Sequence, residues 1–258
     1  MTAASAATPP ATARSVRAEW TRLIDPAAPT GAFTADLTTD LPGPARRRLC
    51  HAMPPGTPLW STVELTMRGQ IKLGSWRSFT ARQVLAPSGF IWAATAQVAG
   101  LPVTGFDRYS SGTGQMRWRL LGLIPVMGST GPDVTRSAAG RLAGEATCWL
   151  PTAFGAASWS AGADPDVAVA TWRIGDEDET VQIRVGRDGQ LLEVTLQRWG
   201  NPDRCPFARY PFGVAVDDER AFGGVSIPSV IRAGWWWGTD RQDAGEFFRA
   251  EITNALFR

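Results

Sequence analysis

From Leu59 to Phe257 apolar residues recur mostly at every second position, and one stretch, Gly131 to Phe154, breaks the pattern. A period of two marks a strand with one buried face, and a period near 3.6 marks a helix. Leu59 to Leu73 sets Val63, Leu65 and Met67 against Thr62, Glu64, Thr66 and Arg68. Trp76 to Leu85 and Phe90 to Val98 follow, divided by Pro87-Ser88-Gly89, and Thr104 to Ser110 is short. In Gln115 to Leu121, Met116, Trp118 and Leu120 alternate with Gln115, Arg117 and Arg119. Strands in succession joined by short turns read as an antiparallel meander.

After the break the pattern resumes through Val167 to Ile174, Val181 to Val185, Leu191 to Trp199, Phe212 to Val216, Val225 to Trp237 and Glu246 to Phe257. The acidic run Asp176 to Glu179 reads as a turn, and Asp188-Gly189 is a two-residue hairpin signal. Pro228 inside a strand predicts an edge position or a bulge.

A long antiparallel sheet must curl or close to hide one face. With one helix between two meanders, the fold expected is mainly β (α+β). It is a half-barrel or open barrel of about ten strands wrapped around the central helix. Ser15 to Ile24 and Ala45 to Met53 read as N-terminal helices, the second ended by Pro54-Pro55-Gly56. Residues 1–13, rich in Ala, Thr and Pro, read as a disordered tail before a single domain over 14–258.

The central helix carries its charges in an unusual place. At roughly 100° per residue, Val134, Ala138, Leu142 and Trp149 share one stripe, and Arg141 and Glu145 fall inside it. A surface helix normally keeps charge on the opposite side. This i,i+4 pair therefore points at the concave face of the sheet. In one strand Asp107 and Tyr109 share a face, so Asp107 is available as a second partner of Arg141. Such a cluster has two readings. It can anchor the helix to the sheet, since a buried Arg/Glu pair survives only with good partners. It can also orient a polar head group, or supply an acid or base if burial raises Glu145 or Asp107 toward neutral pH.

Familiar chemistry is largely excluded. His51 is the only histidine, which removes multi-histidine metal sites and confines any Ser-His-Asp or Cys-His pair to an unremarkable Leu49-Cys50-His51 context. Cys50, Cys148 and Cys205 are widely spaced and odd in number, which argues against a disulfide framework and a thiolate zinc site and fits a reducing compartment. Gly112-Thr113-Gly114 leads into a strand and lacks the third glycine of a dinucleotide fingerprint. A net charge of +2 gives no reason to expect nucleic acid. There is no secretory leader pattern, and no apolar run approaches the roughly 18 residues of a membrane span. A cytoplasmic protein without a metal, a cofactor or integral membrane contact is expected. Twelve tryptophans either fill the core or line a pocket.

Leu41-Pro42-Gly43-Pro44-Ala45-Arg46-Arg47, Phe90 to Ala94, Val103 to Val126, Arg141 to Phe154, and Ile227-Pro228 through Gly238 resemble, in that order, a bacterial family of unknown function. Its members are mostly sheet proteins, often with an N-terminal membrane segment. This chain departs from it in lacking that segment and in carrying Leu142 where an aromatic residue follows the arginine. The resemblance implies a fold similar to the lipoprotein-carrier half-barrels, whose concavity holds acyl chains or other apolar ligands.

The function expected is a soluble binding protein for an apolar or amphipathic small molecule. Trp92, Trp118, Trp149, Trp172 and Trp236 would line the cavity, with Arg141, Glu145, Asp107 and Tyr109 as polar contacts. The alternative is a cofactor-independent cyclase or isomerase acting on a flexible apolar substrate, with Glu145 or Asp107 moving a proton. In a third reading every tryptophan is packing.

Overall fold

The alternation builds one sheet. The computed structural model describes residues 8–24 and 28–258, so most of the expected N-terminal tail lies outside the described residues. Within the remainder, Ala11–Val16 already forms a 3-10 helix with Ala13 fully buried. Two short helices follow, α1 (Arg17–Ile24) and α2 (Gly43–Ala52). The first meander is β1 (Val63–Leu73), β2 (Ser75–Ala86), β3 (Gly89–Val98), β4 (Leu101–Ser110), β5 (Thr113–Leu120) and β6 (Ile124–Thr130). Next comes α3 (Pro132–Trp149), then a 3-10 turn, Pro151–Ala156. The second meander is β7 (Ala157–Ala161), β8 (Val167–Ile174), β9 (Glu177–Val185), β10 (Leu191–Gly200), β11 (Ala208–Phe222), β12 (Val225–Trp235) and β13 (Glu246–Phe257).

The thirteen strands form one antiparallel sheet in the order β6-β5-β4-β3-β2-β1-β13-β12-β11-β10-β9-β8-β7. The two meanders are joined at the middle, where β1 pairs with β13 from Val63↔Phe257 to Ile71↔Phe248. The curled half-barrel is as expected, but about ten strands was too few. The two that escaped notice, β6 and β7, are the edges. All of β6 is exposed, so neither of its faces had to be apolar and no alternation was written into it. Two further readings are corrected. Glu177, Asp178 and Glu179 belong to β9, and the turn is only Gly175-Asp176, with Gly175 at φ 62°. Pro228 lies in an interior strand, opposite Glu219 where the register of β11 shifts, so its cause is a bulge and not an edge.

Alternation also explains the apolar run Phe90 to Ala94. Phe90, Trp92 and Ala94 enter the main core on the concave side. Ile91 and Ala93 face the other way, where they meet Val84, Phe106 and the α1 residues Trp20, Leu23 and Ile24. A strand buried on both faces has no polar side to alternate with. One ion pair secures α1, with Arg108 Nη1 donating to Glu19 Oε2 at 2.7 Å.

Two helices fill the concavity. In α2, Ala45, Leu49 and Ala52 join the core, and Arg48 reaches Glu219 of β11 at 2.6 Å. His51, in its last turn, sits 2.9 Å from the other oxygen of Glu219. Helix α3 starts where Gly131 takes φ 114°, open to glycine alone, followed by Pro132 in the first turn. Thr135 Oγ1 donates to Gly131 O, and Asp133 complements the positive end of the helix. Pro151 stops it, since the residue before proline avoids helical geometry. The main contacts of α3 are with β10, β5 and β9. Among the described residues no helix is long and apolar enough to cross a membrane.

Candidate functional site

The inward charges of α3 meet Asp107, as expected, and Gln83 of β2, which was not expected. Arg141 Nε donates to Glu145 Oε1 at 2.6 Å, and Arg141 Nη1 donates to Asp107 Oδ2 of β4 at 3.0 Å. Trp118 Nε1 of β5 donates to Asp107 Oδ1 at 2.9 Å. Gln83, fully buried on β2, donates through Nε2 to Glu145 Oε2 at 2.6 Å, while its own Oε1 has no partner. Every carboxylate oxygen of the pair is thus occupied. The cluster ties α3 to β2, β4 and β5 at once. The Arg141 guanidinium lies 4.7 Å from the Phe90 ring centre and 5.2 Å from that of Trp92, a favourable cation–π arrangement.

The electrostatics follow from burial. Burial raises the pKa of Asp107 and outweighs the opposing pull of Arg141 and of the Trp118 hydrogen bond. For Arg141, burial disfavours the charge, but Glu145 and Asp107 together hold its pKa above the usual arginine value. The three side chains keep 15–18% of their surface, so water still reaches the cluster.

Beside the cluster the sheet is aromatic. Phe79 stacks on Phe248 with ring centres 5.2 Å apart, and Trp92 meets Phe79 and Trp118 at 5.6 Å each. Farther along, Phe247 lies 6.2 Å from Phe212, which meets Trp235 at 5.1 Å. Phe247, Phe248 and Trp235 are partly exposed, and so is Ile71 of β1 beside them. They belong to β1, β12 and β13, whereas α3 packs mainly on β10, β5 and β9. Trp92 links this aromatic patch to the Arg141 cluster, 6.1 Å from the Phe248 ring centre and 5.2 Å from the Arg141 guanidinium.

The remaining expected residues divide. Trp92 and Trp118 lie against the Arg141 cluster but are themselves core residues, only 3% and 7% exposed. Trp149 and Trp172 are core residues whose N–H groups are already used, on Pro228 O at 3.2 Å and Thr147 Oγ1 at 2.9 Å. Trp236 is not brought to this core. It occupies the turn after β12 at φ 60°, bonded to Asp203 and stacked under Arg241. Of the three adjacent tryptophans, Trp235 is the one that packs against the concave core. Tyr109 is buried, and it lines a separate cleft of about 330 Å³ with Arg22 and Arg173. A wider, open cleft of about 660 Å³ lies beside Arg108, Arg136 and Glu177. Neither cleft is lined by Glu145.

One charged residue beside the aromatic patch went unnoticed in the sequence. Arg198 of β10 is partly exposed, and its guanidinium sits 4.8 Å from the Phe212 ring centre and 5.2 Å from that of Trp235. Its strand parity with Val194 and Leu196, both buried, was the available signal. Gly140 of α3 makes room for it, because a Cβ there would stand 3.3 Å from Arg198 Cγ. Among the described residues no group of His, Cys, Asp or Glu is arranged to hold a metal ion.

Comparison with known proteins gives these results. No curated protein matches the chain. Among solved structures it is similar to a domain described as an outer membrane lipoprotein-sorting protein from Vibrio parahaemolyticus, with a TM-score of 0.44 and 9% identity over 87% of this chain and 94% of that one. It is similar to a LolA superfamily protein from Nitrosomonas europaea, with a TM-score of 0.39 and 9% identity over 88% and 94% of the two chains. A DUF1329 family protein from Desulfovibrio piger aligns with a TM-score of 0.36 and 10% identity over 77% and 86%. A family model matches residues 31–247, and the chain belongs to that family, the family of unknown function DUF6544.

Proposed function

We propose that the protein binds the apolar part of a small amphipathic molecule in the groove between α3 and the sheet floor of β1, β12 and β13. The observation that carries this reading is the partly exposed aromatic patch of Phe247, Phe248 and Trp235, which packs against the concave core away from the main contacts of α3. Apolar area in a concave, partly polar setting is where small molecules gain most by leaving water. The Arg141 cluster is the polar end of the groove and fixes α3 as one wall.

Acid–base chemistry has less support. Both oxygens of Asp107 and both of Glu145 already accept hydrogen bonds, so neither carboxylate is free to take a proton from a substrate without breaking the helix attachment.

Native mass spectrometry of the purified protein tests the proposal by looking for a co-purifying small molecule. Displacement of an environment-sensitive apolar dye measures affinity for added amphipaths. Phe247→Ala and Phe248→Ala together should weaken dye binding by roughly tenfold or more, given about 1.5–3 kcal/mol for a buried large apolar side chain. A wild-type protein that carries nothing and binds no dye rejects the proposal.

A further inference from the structure

We propose that the groove selects a carboxylate head group and that Arg198 is the residue that receives it, through a guanidinium left without a carboxylate partner at the groove's aromatic wall. This rests on the groove binding an amphipath in the first place.

The argument begins with what surrounds Arg198. Its Nε donates to Ser137 O of α3 at 3.3 Å, and this is the one hydrogen bond it makes among the described residues. Among the described residues the two terminal nitrogens have no acceptor, yet they are not sealed from solvent. Three carboxylates are near enough to influence it, and each is committed elsewhere. Asp107 is held by Arg141 and Trp118, and Glu145 by Arg141 and Gln83. Glu179 is gripped by Arg209 through both oxygens, at 2.9 and 3.2 Å. The closest compensation is therefore aromatic, from the faces of Phe212 and Trp235.

Arg198 is correspondingly uncomfortable. Burial, and after it the repulsion of Arg141, pull its pKa down to about 10, with Glu145, Asp107 and Glu179 opposing. At neutral pH it remains a cation, held in the groove's wall without a counter-ion. Buried arginines elsewhere in this chain are not left so. Arg48 has Glu219 at 2.6 Å, and Arg141 has two carboxylates. A ligand anion would restore at Arg198 what those two already have. The planar fork of a guanidinium favours a carboxylate, which accepts two parallel N–H bonds. The flanking rings of Phe212 and Trp235 would cover the first methylenes of the ligand, and Phe247 continues the apolar path from Phe212.

Isothermal titration with three probes of equal chain length provides the test: dodecanoate, dodecanol and dodecyltrimethylammonium, each below its aggregation concentration. Wild-type protein should bind dodecanoate roughly 10- to 100-fold more tightly than dodecanol, the range for charge-assisted hydrogen bonds, and the trimethylammonium probe most weakly. In Arg198→Met, which keeps the aliphatic stem, the preference for carboxylate should fall to within about threefold while dodecanol affinity is unchanged. Arg198→Lys should retain part of the preference, because charge remains and the fork is lost. A purely structural arginine would change all three affinities together, and that result overturns the proposal. Equal binding of carboxylate and alcohol by wild type also overturns it while leaving groove binding intact. If none of the probes binds, groove binding itself fails. Should Arg198→Met not fold, the order of the three probes on wild type decides alone.

Discussion

Replacing Arg141 by methionine would test the most connected residue of the structure. The substitution keeps most of the aliphatic stem and removes the guanidinium. It leaves Asp107 Oδ2 and Glu145 Oε1 facing each other's charge with no donor between them. Removing one partner of a buried ion pair costs about 3–5 kcal/mol, chiefly because the abandoned charge stays buried. Here the three side chains retain 15–18% of their surface, so water screens part of the loss. The cation–π contacts with Phe90 and Trp92 are lost as well. The expected destabilisation is about 3 kcal/mol, near the bottom of that range. For a chain of this size that corresponds to a fall in Tm of about 6–12 °C. Urea titration followed by tryptophan fluorescence measures it directly, since Trp92 and Trp118 sit on the cluster. A companion variant, Arg141→Met with Asp107→Asn and Glu145→Gln, removes the orphaned charges and should recover more than half of the loss. If Arg141→Met unfolds within about 0.5 kcal/mol of wild type, the size of an ordinary surface substitution, the cluster does not hold α3. If the triple variant is no more stable than the single one, the cost lies in lost attraction and not in abandoned charge.

Two other outcomes follow from the same structure. Because burial raises the pKa of Asp107 in the folded state, the folded protein binds that proton more tightly than the unfolded chain does. Stability from this group is then present at low pH and lost as pH rises from the unfolded carboxylate pKa through the folded one. Asp107→Asn lacks the titration, so wild type should lose stability relative to the variant across that window in urea midpoints taken from pH 4 upward. A relative gain by wild type would contradict the assignment. Cys148 is buried beside Arg48 with its thiol pKa pushed up to about 12 by burial, whereas Cys50 is exposed. Ellman's reagent at pH 8 should label Cys50 first and Cys148 only on unfolding, and a rapidly reacting Cys148 would mean that the core around it opens more readily than its burial implies.

Much of this arrangement was legible in the sequence. Helical phase put Arg141 and Glu145 on the inward stripe, and strand parity put Asp107 and Trp118 on the facing side. Those two periodicities are strong wherever one face is buried, and they brought the cluster together correctly, including Asp107 as the second partner of Arg141. Parity failed where burial was absent. In β6 nothing distinguishes one face from the other, and the strand exists because β5 offers it a ladder. The tryptophans misled for a different reason. An indole suits a core and a binding wall equally well, and only three-dimensional packing shows that Trp149 and Trp172 are buried while Trp235 stays partly exposed at the margin of the core. Gln83 and Arg198 were hidden by their chemistry: a polar residue in a strand is read as facing outward, although both share the parity of buried neighbours.

The β1–β13 seam has a consequence for how the molecule is made. The ribosome delivers β13 after the other twelve strands, yet its place is in the centre of the sheet, between β1 and β12. Until it arrives, β1 presents an open row of backbone donors and acceptors along Val63–Leu73, and β12 presents another. Neither can be satisfied locally, because the residues that β1 awaits lie most of the chain away, as in Ile71↔Phe248. Such distant pairing is slow to form and leaves open edges that other nascent chains can join. The nascent protein is therefore two half-sheets, each with a sticky inner margin, that become one curved wall only when the final strand zips them together.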